Sequence, residues 1–364
     1  MSDIIRIVHL SDFHWKKNNE STFSKQLFEP LLKSLNKENS ERKIDLIFIT
    51  GDLLDKGNSG FEKASDAFSE FEKEVISKII TKLNFEKKNI ILCPGNHDMD
   101  TKQDQDFADV GLEGKLTTQE TVLKYMENIR ENKFKDGIKR ILPFKDFEKQ
   151  FYQNKTETEI SYFESIHRRT INGTTIGIVA LNSAWRYYNP EDKENNIIIG
   201  RTHLTNALSK LENCSINILL SHYNTENFAT FERKDLEHTI SENYQIQLYG
   251  HSHSQNVFTK QNVTSDIYFT DVSRGLIVNN ITNNDINYQN GYSIIDFDST
   301  NSEIKLYLKV YSRDRNEFVN DTCTLGDKGV RTFELQKKQD ELKELHYVSN
   351  KIYTSFIEGK MDHD

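Results

Sequence analysis

The chain has 364 residues, a formal net charge of −9 at pH 7 and 36% hydrophobic residues. This length suits one large domain with additions or two ordinary domains, and the 22 Phe and 15 Tyr supply bulky side chains for a core. The acidic charge argues against a protein that grips nucleic acid over its whole surface, because such binding depends on cationic groups that neutralise phosphates.

The cysteines and the N-terminal residues indicate the cellular compartment in which the protein is expected. Cys93, Cys214 and Cys323 are odd in number and widely separated, which is typical of reduced thiols rather than of a disulfide framework. No run approaches the roughly 20 apolar residues of a membrane span, and the first residues lack the regions of a signal peptide. We therefore expect a cytoplasmic protein without a membrane segment.

Short runs rich in Ile, Val and Leu recur along the chain, and each ends at a polar cluster. Such runs are typical of buried strands. In layered α/β proteins, ligands bind beside the carboxyl ends of the strands. The polar clusters are therefore candidates for a shared site, and they follow the runs 4–10, 44–49, 89–93, 175–181, 216–220 and 245–249.

Helices are predicted between these strands. Apolar residues of segment 61–83 recur at intervals of three and four, which indicates an amphipathic helix. A second helix is expected over 23–35, with an interruption or kink at Pro30. Residues 99–170 are highly charged, largely helical in pattern and poor in strand signals, so we expect a helical insertion or lid there.

The last third of the sequence returns to strand patterns. Segments 265–269, 291–297 and 303–311 alternate in the manner of antiparallel strands. Segment 335–358 repeats apolar residues at helical spacing, so a C-terminal helix is expected. One face of that helix could dock on its own domain, on a partner protein or on a second copy of the chain.

The polar clusters supply a complete set of metal ligands. Divalent metals of hard or borderline character bind carboxylate, amide and imidazole groups, and two-metal phosphoryl transfer uses a carboxylate that bridges both ions. Taken singly, an Asp-x-His or Gly-Asp pattern is more often a turn or a satisfied polar pair. Their occurrence together, each directly after a strand, indicates a metal site with the candidate ligands Asp12, His14, Asp52, Asn96, His222, His251 and His253.

The order of these motifs from residue 12 to residue 253 resembles the signature of calcineurin-like metallophosphoesterases. The resemblance implies an α/β fold, a four-layer αββα sandwich, with a dinuclear centre on loops at the sheet ends. It implies that one ion is held by Asp12, His14, Asp52 and His253. The other would be held by Asp52, Asn96, His222 and His251, so that Asp52 bridges the two ions. Segments 147–151 and 181–185 resemble bacterial cyclic-nucleotide-phosphodiesterase-like members of the superfamily.

The same resemblance implies the catalytic residues. It leaves His97 free of metal, as the proton donor for the leaving oxygen, with Asp98 holding its imidazole. An imidazole suits this role because its pKa lies near neutrality. Asp55 completes a Gly-Asp-x-x-Asp pattern, and we expect it to have a structural role such as hydrogen bonding in the turn.

These expectations define a metallophosphoesterase domain over 1–300, which includes the insertion, and a C-terminal strand and helix extension over 301–364. The predicted activity is hydrolysis of phosphoric ester bonds, most favourably of a nucleotide-type phosphodiester. The alternatives are a DNA or RNA nuclease subunit that works with a partner protein, and a non-catalytic scaffold, against which the intact ligand set argues. Because the motifs contain O and N ligands and no thiolate, Mn is the favoured metal, with Fe or Zn as alternatives.

Overall fold

A computed structural model describes residues 4–17, 20–103, 106–153, 157–186, 196–261, 267–282, 285, 288–326 and 328–335. The helix expected at 335–358 lies outside the described residues except for Leu335, and so does the partner surface expected on it. Within the described ranges, no helix has both the length and the apolar character needed to cross a membrane.

Two seven-stranded sheets form the centre of the molecule. Their strands are β1 (Ile4–Leu10), β2 (Leu46–Thr50), β3 (Ile90–Cys93), β4 (Thr158–Ile160), β5 (Glu164–Ile171), β6 (Thr174–Leu181), β7 (Ile216–Ser221), β8 (Ile246–Tyr249), β9 (Asn256–Gln261), β10 (Ile267–Val272), β11 (Gly291–Asp298), β12 (Glu303–Ser312), β13 (Glu317–Asn320) and β14 (Val330–Glu334). The first sheet has the order β13-β12-β11-β1-β2-β3, with β14 also paired to β12, and the second has the order β4-β5-β6-β7-β8-β10-β9.

The six apolar runs are confirmed as β1, β2, β3, β6, β7 and β8, with ends that differ from the prediction by at most two residues. The first three are parallel neighbours in one sheet, and the last three are parallel neighbours in the other. Because β2 and β3 contact β7 and β6, the two sheets face each other. The polar clusters that follow these strands consequently lie at adjoining sheet edges.

Helices flank both sheets, which confirms the α/β class. They are α1 (Glu20–Phe23), α2 (Glu29–Glu41), α3 (Ala64–Phe71), α4 (Ser77–Leu83), α5 (Asp106–Glu113), α6 (Gln119–Arg130), α7 (Leu142–Tyr152), α8 (Arg201–Ser209), α9 (Thr230–Asn243) and α10 (Thr322–Leu325). Helix α2 packs against α4 and β13 of the first sheet, whereas α8 packs against α9 and β5 of the second.

Two of the predicted helices contain a π-helical turn. The segment Ser24–Phe28 joins α1 to α2, and Glu72–Ile76 joins α3 to α4. Pro30 lies in the first turn of α2, where its missing N–H breaks no hydrogen bond within that helix. The interruption expected at this proline therefore takes the form of a π turn just before it.

The range 99–170 contains α5, α6 and α7 but differs from the expected helical insertion at its end, where it forms β4 and most of β5. These two strands pair antiparallel at the edge of the second sheet. In β5 the buried residues Ser165, His167 and Arg169 are polar, so the sequence lacks the usual alternation of apolar buried and polar exposed residues.

The domain boundary predicted at residue 300 falls between β11 and β12, and these two strands pair in one sheet. Both domain limits stay predictions.

Helix α7 covers the free edge of β3, the last strand of the first sheet. The buried hydroxyl of Tyr152 donates to the carbonyl oxygen of Ile90 and accepts from the N–H of Leu92, each at 3.0 Å. An exposed strand edge leaves such groups unpaired, so one side chain satisfies two main-chain groups here.

Replacing Tyr152 with Phe should lower the free energy of unfolding by about 1–3 kcal/mol, because it leaves a buried N–H and a buried C=O without partners. Urea unfolding monitored by circular dichroism measures the difference. Tyr288→Phe is the matched control, because that ring is 43% exposed. Equal stability of Tyr152→Phe and the wild type would show that the strand edge does not depend on this hydroxyl.

Candidate metal centre

The candidate ligands lie on the loops that leave the parallel strands, and most of them have an unusual backbone. A positive φ is uncommon outside glycine and persists where the surrounding structure enforces it, often at functional sites. Five candidate ligands have this left-handed conformation, namely Asp12 (53°), His14 (43°), Asp52 (51°), His251 (70°) and His253 (56°).

Four of the ligands converge on one point. One donor atom from each of Asp12, His14, Asp52 and His253 lies within 4.8 Å of all the others. Nε2 of His253 is 3.2 Å from Oδ1 of Asp12 and 3.1 Å from Nε2 of His14. Nε2 of His14 is in turn 3.5 Å from Oδ2 of Asp52. This is the set that the sequence resemblance assigns to the first ion.

The unsatisfied polar atoms of this group fit a cation. Oδ1 of Asp12 is buried and has no well-oriented hydrogen-bond donor among the described residues, although Nε2 of His253 lies 3.2 Å away. The Nε2 atoms of His14 and His253 face each other, although both are acceptors when Nδ1 carries the proton. A divalent cation among the four side chains would satisfy the carboxylate oxygen and both nitrogens, so the residues present fit a metal ion.

A second group of donors lies on the other side of Asp52. Nε2 of His222 is 3.4 Å from Oδ2 of Asp52 and 3.0 Å from Oδ1 of Asn96. Nδ1 of His222 lies 2.8 Å from the carbonyl oxygen of Thr50 and donates to it, which leaves Nε2 free to bind a metal. The His251 ring packs beside that of His222, with centroids 5.1 Å apart. The structure thus brings all seven candidate ligands together, and their roles stay predictions.

Burial and neighbouring charges shift the pKa values of two histidines in this group in opposite directions. Burial alone would lower the pKa of the His222 imidazole, but the adjacent Asp52 carboxylate raises it to about 9. For His251, burial and the neighbouring His222 together lower the pKa to about 4. Protons and a metal ion compete for such donors, since a ligand must be deprotonated to bind.

His97 lies beside the ligands and contacts two carboxylates. Its backbone N–H donates to Oδ1 of Asp52 at 2.8 Å. Its Nδ1 lies 3.3 Å from Oδ1 of Asp55 and 3.2 Å from the backbone nitrogen of Lys56. Burial opposes the charged imidazole, but the Asp52 and Asp55 carboxylates outweigh it and raise the pKa of His97 above its usual value.

The structure gives Asp98 a different position from the expected one beside the His97 imidazole. The carboxylate of Asp98 accepts from the N–H of Gly95 at 2.8 Å and from the N–H of Leu54 at 3.0 Å. The reason is local: the 3₁₀ turn Asn96–Asp98 directs the third side chain back to the residue before the turn. Asp98 therefore links the loop of Asn96 to the loop of Asp52. Asp55, rather than Asp98, lies beside the His97 imidazole.

Asp55 contacts more of the candidate site than the turn role expected from the sequence would require. Its carboxylate lies 2.9 Å from Nζ of Lys16, 3.3 Å from Nδ1 of His97 and 3.8 Å from Nδ1 of His14. Hydrogen bonds to the two imidazoles and to Lys16 hold its pKa well below the usual value. The Gly-Asp-x-x-Asp pattern points to Asp55. The spacing alone does not tell whether its carboxylate bonds within the turn or contacts the site.

Two glycines of the motifs allow the loops to approach each other. A Cβ on Gly95 would collide with the Asp52 carboxylate, and a Cβ on Gly250 would collide with Oγ of Ser11. Glycine at these positions lets the backbone pass close to a ligand. Glycine is required at both positions because neighbouring atoms lie too close for a Cβ, and not because of a positive φ.

A recess of about 210 Å³ opens beside the first group of ligands. His14, Lys16, Asp55 and His253 line one part of it, and the segment 277–280 lines the rest. A charged ligand could therefore reach the metal ligands from this side, next to a lysine ammonium.

Two facing sheets, with carboxylates and imidazoles gathered where parallel strands end, define an α/β protein with a candidate metal site at the sheet edges. Residues 5–255 match the family model described as calcineurin-like phosphoesterase, and the chain belongs to this family. The resemblance found in the motifs is confirmed.

Individual relatives are distant. The uncharacterised metallophosphoesterase-like protein YydB of Bacillus subtilis is 22% identical over 317 residues, which cover 84% of this chain and 61% of that protein. A dimetal phosphatase from Danio rerio is 10% identical, with a TM-score of 0.45 and coverage of 87% of this chain and 98% of that one. The NAD nucleotidase of Haemophilus influenzae is 16% identical, with a TM-score of 0.42 and coverage of 87% and 53%. The match to YydB thus spans less than two thirds of the length of that protein.

Proposed function

We propose that the chain hydrolyses phosphoric ester bonds with two divalent metal ions, and that its substrate is a nucleotide-type phosphodiester. Membership of the calcineurin-like phosphoesterase family supports the reaction class. The nucleotide-type diester is supported by the resemblance of segments 147–151 and 181–185 to cyclic-nucleotide-phosphodiesterase-like proteins.

The position of Asp52 is the observation that carries the proposal. Its Oδ2 lies 3.5 Å from Nε2 of His14 and 3.4 Å from Nε2 of His222. One carboxylate therefore stands between two sets of donors, as a bridging ligand of a two-metal site does.

The donors are carboxylate, amide and imidazole groups, so Mn is the favoured metal and Fe or Zn are alternatives. When bound, such ions would supply Lewis-acid activation of the phosphoryl group and of the attacking water. The first set would be Asp12, His14, Asp52 and His253, and the second set would be Asp52, Asn96, His222 and His251.

The chain's own residues would then position and protonate the substrate. His97 belongs to neither proposed set of metal ligands, and its Nδ1 contacts Asp55, so Nε2 would be available for the leaving oxygen. Its backbone N–H holds Asp52, and that contact keeps the ring at a fixed place relative to the donors. Protonation of a departing alkoxide is the step this imidazole would supply.

The test begins with Mn-loaded full-length protein and elemental analysis. We expect two Mn ions per chain, fewer in His253→Ala, and two in the control His238→Ala, whose side chain is 65% exposed on α9. Finding no more than one ion per chain in the wild type would rule out the dinuclear centre.

The same Mn-loaded protein is then incubated with a nitrophenyl diester, cyclic nucleotides, and single- and double-stranded DNA. We expect hydrolysis of the nitrophenyl diester and of at least one cyclic nucleotide. Cleavage of DNA without cyclic nucleotide hydrolysis would favour the nuclease alternative, and no hydrolysis with both ions bound would contradict an enzyme of this class.

A further inference from the structure

A larger cavity, of about 400 Å³, lies between helix α9 and the strands β8, β10 and β9. Its described lining includes none of the seven candidate ligands and neither His97 nor Asp98. It is nevertheless close to them along the chain, because Tyr249 in its wall precedes the Gly250-His251 turn and Asn224 follows the His222 loop. A cavity of this volume falls in the range of small-molecule sites.

The floor of the cavity contains polar atoms that lack partners. Gln247 and Thr270 are 3% and 1% exposed, and they are neighbours across β8 and β10. Oε1 of Gln247 accepts from the hydroxyl of Tyr249 at 3.0 Å, but Nε2 of Gln247 and Oγ1 of Thr270 have no hydrogen-bond partner among the described residues. Such atoms destabilise a fold unless something binds them. Both atoms are buried in the cavity wall, so they supply a ligand with one amide donor and one hydroxyl once the two side chains turn toward it.

Aromatic rings stand beside these atoms. Phe258 lies directly opposite Thr270 in the β9–β10 pair, so both side chains point to the same face of the sheet. Tyr268 lies on that face two residues before Thr270 and also lines the cavity. Rings placed next to buried hydrogen-bonding groups suit a flat polar ring such as a nucleobase, which stacks on aromatic side chains and accepts hydrogen bonds at its edge.

The rim adds charges of both signs. Lys234 from α9 and Lys260 from β9 can meet a phosphate group, and Lys260 also covers the Phe258 ring at 5.1 Å from its centroid. Glu226 and Glu237 line the same cavity. Carboxylates accept hydrogen bonds from ribose hydroxyls in nucleotide sites. The cavity thus offers aromatic rings and hydrogen-bonding groups for a base, carboxylates for a sugar and lysines for a phosphate.

We propose that this cavity binds a mononucleotide at a site separate from the metal centre. The base contacts Gln247 and Thr270 beside the aromatic rings, and the phosphate contacts Lys234 and Lys260. This assignment does not depend on the proposed hydrolytic activity.

Calorimetric titration of the full-length chain with AMP, GMP, CMP and UMP tests the site, with EDTA present to keep divalent ions off the metal ligands. At least one nucleotide should bind, and Thr270→Val should weaken that binding by about tenfold or more, the effect of losing one buried hydrogen bond. Thr259→Val is the matched control, because Thr259 is an exposed threonine of β9 that does not line the cavity.

Two further measurements separate binding from folding. Without nucleotide, Thr270→Val should unfold at or above the temperature of the wild type, since it removes an unpaired buried hydroxyl without changing the side-chain volume much. Lys260→Ala, a surface change, should weaken binding of the nucleotide but not of the corresponding nucleoside. Failure of all four nucleotides to bind the wild type, or wild-type affinity in Thr270→Val, would overturn the proposal. Loss of metal-dependent hydrolysis would leave it standing.

Discussion

Replacing Asp52 with Ala should empty both metal sites together and remove activity on every phosphoester. Its Oδ2 lies within 3.5 Å of donors from both sets, whereas each of the other ligands belongs to one set. Loss of a residue that only orients a metal ligand typically weakens metal binding by 10–100-fold, so loss of a shared ligand should cost more than about 100-fold. Elemental analysis and a nitrophenyl diester assay on the same preparation measure both effects.

Asp146→Ala provides the control for this variant, because it removes another aspartate side chain, one that is 68% exposed on α7. It should keep both ions and full activity. If Asp52→Ala retained one full equivalent of Mn, the carboxylate would serve one site only and its role as the bridge between two ions would be wrong.

Replacing His97 with Ala should leave both ions bound and impair one step of the reaction. The backbone N–H that holds Asp52 remains in the variant, so the ligand keeps its position. What disappears is protonation of the leaving oxygen, a contribution of typically 10²–10⁴ in rate. The loss should be of that size for a diester with an alkoxide leaving group and far smaller for a nitrophenyl diester, because nitrophenolate departs without a proton.

His238→Ala again serves as the control, since it removes an exposed imidazole. The structure also defines a competing outcome. Donor atoms of His14, Asp55 and His97 lie within 4.8 Å of one another and could themselves hold a metal ion. If His97→Ala lost an equivalent of metal, or slowed both substrates equally with metals in place, His97 would not be the proton donor.

Much of the fold followed from short-range sequence patterns. The buried strands could be recognised because most of their residues are apolar, five of seven in Ile4–Leu10 and four of five in Leu46–Thr50. Every residue of the two strands except Ile4 is buried, as expected of strands covered on both faces. The proximity of the candidate ligands could be predicted because each follows such a strand, and parallel strands bring their carboxyl ends to one edge.

The parts that could not be predicted depend on contacts between distant segments. Spacing cannot tell which of two carboxylates, Asp55 or Asp98, reaches the His97 ring, because that depends on how the turn rotates each side chain. Strand β5 was missed because its polar residues are buried by partners elsewhere in the fold. Lys145, from α7, contacts Ser165 in this way at 3.1 Å. Such partners are visible only after the chain has folded.

The left-handed backbone of five candidate ligands has a consequence for directed evolution. An L-residue with a side chain costs roughly 1–2 kcal/mol in this conformation, and glycine or asparagine adopts it more readily. At Asp12, His14, Asp52, His251 and His253 glycine would relieve the backbone most, but glycine has no side chain with which to bind a metal. A library screened for heat resistance alone should accumulate substitutions at these positions, so a screen for a hardier catalyst must include activity from its first round.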